Sequence, residues 1–181
     1  HGNMVFDGAR FFEGVMPDLA HRCERVVASA ETMGMQSPVT AEAIAELVRE
    51  GVIRLDTEDA YYRRPMMTSA GCLPCIMEAD PESTRFAVCL EKIAMPLAGD
   101  MPMTVSPFRR PDPRTALTTA KAACLYPNNA RIITEAKSRG FKNALSLDLD
   151  GYVAESATSN VFLVKDGVVR TPSHNGTCLN G

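Results

Sequence analysis

Residues 117–129 read Leu-Thr-Thr-Ala-Lys-Ala-Ala-Cys-Leu-Tyr-Pro-Asn-Asn, and the rest of the chain is best interpreted outward from this stretch. It places one lysine, Lys121, among small neutral residues at the start of a predicted helix, with Tyr126 five positions later. The positive end of a helix dipole and a lack of polar cover both disfavour an ammonium ion, so they lower the pKa of a lysine. Lys121 is therefore a candidate nucleophile.

Two interpretations of Lys121 are open at this point. Most lysines are solvated, and the local sequence alone favours a surface lysine at a helix terminus. A lysine with a lowered pKa instead forms Schiff bases with carbonyl compounds, above all with pyridoxal phosphate, which then serves as an electron sink. Motifs elsewhere in the chain decide between the two.

The motifs extend over nearly the whole chain and occur in a specific order. Those before the lysine are Phe6-Asp7-Gly8-x-Arg10, His21-Arg22 and Tyr62-x-Arg64-Pro65. Those around and after it are Ala120-Lys121-Ala, Leu125-Tyr126-x-Asn-Asn, Gly151-Tyr-Val-Ala-Glu155, Ser159-Asn160-Val-Phe162 and Thr171-Pro172. Together they resemble the class IV (fold type IV) pyridoxal-phosphate aminotransferases. That family includes branched-chain and D-amino-acid aminotransferases, (R)-selective amine transaminases and aminodeoxychorismate lyases.

The resemblance implies a mixed α/β (α+β) fold of the D-amino-acid aminotransferase type. Residues 1–107 would form a small N-terminal α/β domain, residues 108–117 an interdomain linker, and residues 118–181 the start of a larger, β-rich domain that binds pyridoxal phosphate. In the family this large domain continues beyond the position of Gly181, so we expect a truncated domain. A fragment of this kind should retain the cofactor poorly.

The resemblance also assigns roles to residues of the cofactor site. Lys121 would be the catalytic residue and would hold pyridoxal 5'-phosphate covalently. Arg22 would bind the phosphate, Tyr126 the phenolate oxygen and Glu155 the ring nitrogen, with Asn160 beside them. A carboxylate at the ring nitrogen keeps that nitrogen protonated, which makes the ring an effective electron sink.

Two residues are implied at the substrate side. Phe6 would line the side-chain pocket, and Arg64 would bind the substrate carboxylate. Arg63 occupies a position that is usually aliphatic in branched-chain relatives, which puts the charge of the pocket in doubt. Residues 156–159 read Ser-Ala-Thr-Ser. This differs from the Gly-x-Gly-Glu of many branched-chain enzymes and is closer to the form found in D-amino-acid and amine transaminases, so the subclass stays open.

Local patterns predict the secondary structure. Apolar spacing predicts helices from Asp18 to Gly34, from Thr40 to Leu55 and from Lys121 to Gly140. Strands are predicted at 60–68, 84–93 and 103–109, followed by a β-meander over 143–171 with turns at Asp150-Gly151 and Asp166-Gly167. The polar, proline-rich residues 107–115 read as a connector in which Arg109, Arg110 and Arg114 are solvated or meet an anionic substrate.

The composition bounds the class of protein. The chain has 181 residues, is 45% hydrophobic and carries a net charge of −3, which gives no reason to expect nucleic acid or a membrane as partner. We expect a cytoplasmic homodimer or higher homo-oligomer. Cys72-Leu-Pro-Cys75 alone is a weak metal or redox motif, because no second cysteine pair or histidine pair completes it, so no metal is expected.

The sequence therefore predicts a transaminase that moves an amino group between a branched-chain or related amino acid and a 2-oxo acid. A D-amino-acid or (R)-amine transaminase is one alternative. A lyase of the aminodeoxychorismate type, which expels pyruvate, is a second. A non-catalytic α/β binding module with a structural Lys121 is a third.

Overall fold

The computed structural model describes residues 2–55, 59–72 and 77–179. The chain forms two compact units. The first contains His1–Leu97 and Ala120–Ala123, and the second contains Ala98–Thr119 and Cys124–Gly181. The segment that carries Lys121 thus belongs with the N-terminal part of the chain.

The first unit is built on an antiparallel sheet. Strands β1 (Met4–Phe6) and β2 (Ala9–Phe11) follow one another along one edge of β3 (Tyr61–Ser69), with Phe6 opposite Met66 and Ala9 opposite Arg63. The other edge of β3 pairs along its whole length with β4 (Thr84–Lys92). Successive side chains of a strand point to opposite faces. One face of β3 is therefore buried, and the other is half-buried.

Two helices cover the buried face of this sheet. Helix α1 (Leu19–Thr32) contacts β1 and β3, and α2 (Ala41–Ile53) contacts β3 and β4. The helix α2 begins where expected, because the Thr40 side chain accepts a hydrogen bond from the backbone N–H of Ala43. Asp18 precedes α1 in a left-handed conformation and makes no side-chain cap. The core contains apolar residues from β1, β3 and both helices: Val5, Cys23, Val26, Ile44, Val48, Val52 and Met67.

The second unit begins with a parallel β-α-β arrangement. Strand β5 (Met103–Arg109) pairs in parallel with β6 (Asn143–Leu147), and α3 (Tyr126–Ser138) lies between them in sequence. Strand β7 (Val153–Ser156) then pairs antiparallel with β6. The core of this unit is a small cluster on α3, on β6 and just after β7, formed by Ile132, Ala136, Ala144 and Ala157.

A separate hairpin of β8 (Leu163–Lys165) and β9 (Val168–Arg170) follows. Asp166 and Gly167 both have positive φ angles, 52° and 73°. This is what a type I′ hairpin turn requires, and an aspartate-glycine pair is among the sequences that adopt it most readily. The hairpin expected at this point is confirmed.

The structure corrects the sequence predictions in three places. The β-meander predicted over 143–171 is interrupted, because β8 and β9 form a sheet separate from that of β6 and β7. The helix after Lys121 begins only at Tyr126, so Lys121 is not helical. Strand β5 reaches through Pro107 to Arg109 and belongs with the second unit because it pairs with β6, so the proposed boundary at residue 107 falls inside this strand. Within the described ranges, we find no helix that is both long and apolar enough to span a bilayer.

Candidate active site

Backbone contacts to two elements fix the position of Lys121. Its carbonyl accepts a hydrogen bond from the Phe6 N–H at 3.2 Å, and Ala122 forms an antiparallel bridge with Val5. Its own N–H donates to the Ser29 hydroxyl on α1 at 3.1 Å. Lys121 is therefore held beside β1 by an antiparallel bridge rather than by a helix.

The Lys121 side chain lies on the half-buried face of the sheet. Its Nζ atom lies 5.7 Å from the centroid of the Phe6 ring. Burial lowers the pKa of Lys121, and the cations Arg25 and Arg22 lower it further, while Asp7 acts in the opposite sense. The predicted direction of the shift is confirmed. The main cause is desolvation, since no helix begins at this residue.

Beside the lysine lies a cluster of one buried carboxylate and two arginines from α1. Asp7 is fully buried and accepts from Arg25 Nε at 2.6 Å, from Arg25 Nη2 at 2.9 Å and from the Gly8 N–H at 2.8 Å. Arg22 Nη1 lies 3.6 Å from the same carboxylate and donates to the Gly8 carbonyl at 3.0 Å. With two cations and one anion, the cluster has a net positive charge.

One nitrogen of this cluster is a hydrogen-bond donor with no acceptor in the described part of the chain. Arg22 Nε is buried and makes no hydrogen bond to any part of the chain that the structure describes. Burying such a donor unpaired costs about 1–3 kcal/mol, because it gives up its bond to water. Arg22 therefore has spare capacity to bind an anion. The sequence analysis named Arg22 but missed Asp7 and Arg25, although Asp7 stands within the Phe-Asp-Gly motif.

The substrate residues named from the sequence share one face of the first unit. The Arg64 guanidinium lies 5.8 Å from the Phe6 ring centroid and 5.3 Å from that of Tyr62. Arg64 Nε is buried, with no hydrogen-bond partner in the described chain. Tyr62 was not predicted as a pocket residue, yet its spacing of two from Arg64 along a strand puts both on the same face.

Arg63 points the other way, into the core between the sheet and the helices. It is 1% exposed, and its Nη2 donates to the Arg10 carbonyl at 2.5 Å. Burial lowers the pKa of Arg63 to about 10. The doubt that Arg63 raised about the charge of the pocket is removed, because strand alternation keeps its charge off the face that carries Arg64.

In the second unit the predicted ring-nitrogen carboxylate, Glu155, is paired with an arginine. Arg110 Nη1 lies 3.2 Å from Glu155 Oε1 and donates to Asn129 Oδ1 at 3.1 Å, while Arg110 Nε donates to the Thr177 carbonyl at 3.2 Å. Arg110 is 4% exposed. The expectation of a solvated Arg110 was wrong. By contrast, Arg114 is exposed and pairs with Asp112.

The remaining predicted residues lie on separate elements of the second unit. Tyr126 is half-buried and is the first residue of α3. Asn160 is exposed in the segment after β7, and its side chain approaches the Leu179 carbonyl at 3.5 Å. Thus Phe6, Arg22, Arg64 and Lys121 belong to the first unit, and Tyr126, Glu155 and Asn160 belong to the second.

The Cys-x-x-Cys motif is only half described. Cys72 is exposed and forms a β-bridge with Ala79 at the end of β3. Cys75 lies outside the described residues. Among the residues that are described, no group of three histidine, cysteine or acidic side chains is arranged to hold a metal ion.

Comparison with known proteins gives consistent results. The chain matches the family described as amino-transferase class IV over residues 4–181. It is 31% identical over 174 residues to a probable branched-chain-amino-acid aminotransferase of Rickettsia bellii, covering 95% of this chain and 59% of that protein.

Solved structures with the same fold include an aminotransferase from Brucella abortus bound to the cofactor PLP. It is 47% identical, with a TM-score of 0.97, covering 99% of this chain and 64% of that one. A branched-chain aminotransferase from Thermoproteus uzoniensis with norvaline is 27% identical, with a TM-score of 0.87, covering 100% of this chain and 62% of that one. The chain thus spans about three fifths of the length of these relatives.

Proposed function

Because the chain belongs to the class IV aminotransferase family, we propose that the protein carries out transamination that depends on pyridoxal phosphate. The reaction moves an amino group between a branched-chain or related amino acid and a 2-oxo acid. One observation carries the proposal: Lys121, a desolvated lysine of lowered pKa, lies beside a cluster of net positive charge that contains an arginine nitrogen with no partner in the described chain.

The residues present fit three groups of the cofactor: its aldehyde, its phosphate and its ring nitrogen. An aldehyde needs a neutral amine, and burial favours the neutral form of Lys121. A phosphate dianion needs cationic donors, and Arg22 has a buried Nε available for one. A protonated ring nitrogen needs a carboxylate. Glu155 is a buried glutamate, and its Oε1 lies 3.2 Å from Arg110 Nη1.

We assign the roles residue by residue. Pyridoxal phosphate, when bound, withdraws electrons from the substrate Cα and so makes its proton acidic. Lys121 would hold the cofactor covalently until the substrate amine displaces it, and the released amine would then move a proton between the substrate Cα and the cofactor C4′ carbon. Arg22 binds the phosphate. Tyr126 donates to the phenolate oxygen, Glu155 holds the ring nitrogen, and Asn160 is a further contact of the cofactor.

The substrate assignment rests on Arg64 and Phe6. Arg64 offers a guanidinium whose buried Nε has no partner in the described chain, which suits a carboxylate, and the Phe6 ring offers an apolar wall beside it. The Thermoproteus uzoniensis relative was solved with norvaline, an amino acid with an unbranched apolar side chain. A substrate with both a carboxylate and an apolar side chain therefore fits best.

The test of the proposal is covalent trapping. Protein incubated with pyridoxal phosphate should gain a visible absorbance band, and borohydride followed by peptide mapping should fix the cofactor to Lys121. Lys121→Ala should abolish both signals, whereas Lys137→Ala, which alters an exposed lysine of α3, should abolish neither. Trapping on other lysines alone, or a full-length protein that stays colourless with added pyridoxal phosphate, would refute the assignment.

A donor panel separates this proposal from its alternatives. L- and D-amino acids and a primary amine are each offered with 2-oxoglutarate, and glutamate is measured. Preference for branched L-amino acids is the expected result. Preference for a D-amino acid or an amine would favour those subclasses, and release of pyruvate from aminodeoxychorismate would favour a lyase. A binding module would give no product at all.

We also propose that the protein acts as a cytoplasmic homodimer or higher homo-oligomer, as expected from the resemblance. Sedimentation velocity at several protein concentrations tests the assembly. A species with the mass of one chain at all concentrations would contradict it.

A further inference from the structure

We propose that Ser146 is a positioning residue for the carboxylate at the cofactor ring: its buried hydroxyl donates to Glu155 when that carboxylate holds the ring nitrogen. The inference rests on the proposed function, because it presupposes that Glu155 contacts the ring nitrogen. It concerns a serine that contributes to the site only through its neighbour on the next strand.

The first step is the position of the serine. In the antiparallel pairing of β6 with β7, Ser146 stands directly opposite Glu155. Residues directly opposite each other share one face of the sheet, with their Cβ atoms about 4.5–5.5 Å apart. Ala144 and Ala157, each two positions further along, lie on the same face and pack against α3. Ser146 and Glu155 are therefore neighbours on the face of the sheet that α3 covers.

The second step is the hydroxyl itself. Ser146 is fully buried, and its Oγ makes no hydrogen bond within the part of the chain that the structure describes. A buried hydroxyl without a partner is costly, because it has given up its bonds to water. A serine hydroxyl can turn about χ1 between staggered positions and donates one hydrogen bond. Ser146 thus has a donor available to an acceptor beside it.

The third step is the acceptor. A carboxylate offers about four lone-pair positions on two oxygens, enough for several donors at once. Arg110 Nη1 lies 3.2 Å from Glu155 Oε1, and Arg110 is held in turn by Asn129 and by the Thr177 carbonyl. The guanidinium therefore restrains Glu155 from one direction, and the Ser146 hydroxyl lies on the opposite strand.

The fourth step is the consequence for the cofactor. A hydrogen bond donated to a carboxylate stabilises it relative to the protonated acid. The proton between Glu155 and the ring then stays on the ring nitrogen, which is the form that withdraws electrons most effectively. Ser146 acts on the cofactor in this way without touching it.

The test compares two ligands that differ in one ring atom: pyridoxal phosphate and its deaza analogue, in which a C–H group replaces the ring nitrogen. Equilibrium dialysis gives the ratio of their Kd values for the full-length wild type, Ser146→Ala, Glu155→Gln and the control Ser138→Ala, an exposed serine of α3. The wild type should prefer pyridoxal phosphate. Ser146→Ala should reduce this preference about tenfold, the effect of losing a hydrogen bond to a charged group, and Ser138→Ala should not change it.

Two further readouts distinguish positioning from a structural role. With nitrogen-15 in the ring, the NMR resonance of bound pyridoxal phosphate should move in Ser146→Ala toward that of an unprotonated pyridine. Without cofactor, Ser146→Ala removes a buried hydroxyl that has no partner in the described chain, so the urea midpoint should stay the same or rise. Ser146→Cys is close in size and a weak donor, so it should give an intermediate preference, and it carries the same comparison if Ser146→Ala does not fold.

A double variant tests whether Ser146 acts through Glu155. In the Glu155→Gln background the carboxylate is absent, so adding Ser146→Ala should change the preference by less than about twofold. A further tenfold loss in that background would show that Ser146 acts independently of Glu155 and would overturn the inference.

The outcomes separate this inference from the proposed function. If the wild type binds neither ligand or binds both equally, or if Glu155→Gln keeps the preference, the assignment of Glu155 fails and the inference fails with it. If Glu155→Gln loses the preference but Ser146→Ala keeps it, the inference alone is overturned. Equal losses for both ligands in Ser146→Ala, with a lower urea midpoint, would also overturn it, because they would indicate a purely structural serine.

Discussion

Arg110 Nη1 lies 3.2 Å from Glu155 Oε1, and both residues are buried in the second unit of the chain. Burial alone would favour the neutral form of a carboxyl group, whereas an adjacent guanidinium favours the carboxylate. In the proposed function this is the carboxylate that holds the ring nitrogen, and Arg110 is the cation that lies beside it. The remaining Arg110 contacts, to Asn129 and Thr177, hold the guanidinium in place.

Removing one member of this pair should cost much stability. Arg110→Met removes the guanidinium that faces the buried Glu155 carboxylate, and we expect a loss of about 3–5 kcal/mol in the free energy of unfolding. Urea denaturation measures it. The control Arg114→Met removes an exposed ion pair with Asp112 and should change stability little. Equal, small losses for both variants would mean that the Arg110 pair is not buried in solution.

The sequence could not predict this pair. Arg110 stands among prolines and charged residues, a composition typical of solvated connectors. Its hydrogen-bond partners Asn129 and Thr177 are 19 and 67 positions away in sequence, so no local pattern marks them. Contacts that are distant in sequence bury Arg110. One of them is the hydrogen bond that its backbone N–H donates to the Leu147 carbonyl at the end of β6.

Features specified by short-range patterns were predicted well. The helix α2 and its Thr40 cap, the three long strands and the Asp166-Gly167 turn follow from periodicity and turn chemistry. Lys121 was placed wrongly for the opposite reason. Its conformation is set by pairing with β1, more than a hundred residues earlier, so the helix that looked continuous from this lysine starts only at Tyr126. The Lys121 roles proposed from the resemblance do not depend on that helix.

The lowered pKa of Lys121 predicts a dependence of stability on pH. The folded-state pKa lies below the ordinary value of 10.5, so between these two values the unfolded chain binds more protons than the folded one. The contribution of Lys121 to the free energy of unfolding therefore rises with pH across that window. Below the window, the full cost of burying the charged amine lowers the stability. Lys121→Met carries no charge and should be more stable than the wild type at neutral pH.

Urea denaturation at pH 7 and at pH 10 checks this prediction. The stability advantage of Lys121→Met over the wild type should shrink as the pH approaches 10.5. Lys137→Met controls for the removal of one lysine from an exposed position. An advantage of Lys121→Met that grows with pH would contradict the sign of the shift.

Gly8 is required by close contact rather than by an unusual backbone angle. A Cβ atom added at Gly8 would lie 1.7 Å from the Tyr62 hydroxyl, so Tyr62 must move in Gly8→Ala. The Tyr62 ring lies beside the Arg64 guanidinium, at 5.3 Å, so that arginine should be displaced as well. We expect a loss of about 1–3 kcal/mol in unfolding free energy, together with weaker binding of the amino-acid substrate. Gly99→Ala, whose added Cβ would meet no atom within 4 Å, should change neither property.

Arg64 provides the most direct prediction about the substrate. If its guanidinium binds the substrate carboxylate, Arg64→Met should raise the KM for a branched-chain amino acid about tenfold to a hundredfold, with a smaller change in kcat. An amine that lacks a carboxylate has no such contact to lose, so its KM should stay within about twofold. Arg64→Lys should recover part of the binding, because an ammonium supplies the charge but not the fork.

The control for this experiment is Arg85→Met, an exposed arginine on the neighbouring strand β4, which should alter neither KM. Steady-state kinetics with the amino acid and the amine as alternative donors make the measurement. Similar losses for both donors would place the action of Arg64 in folding or cofactor binding. No loss for either would remove Arg64 from the substrate site and leave Phe6 as the remaining predicted substrate contact.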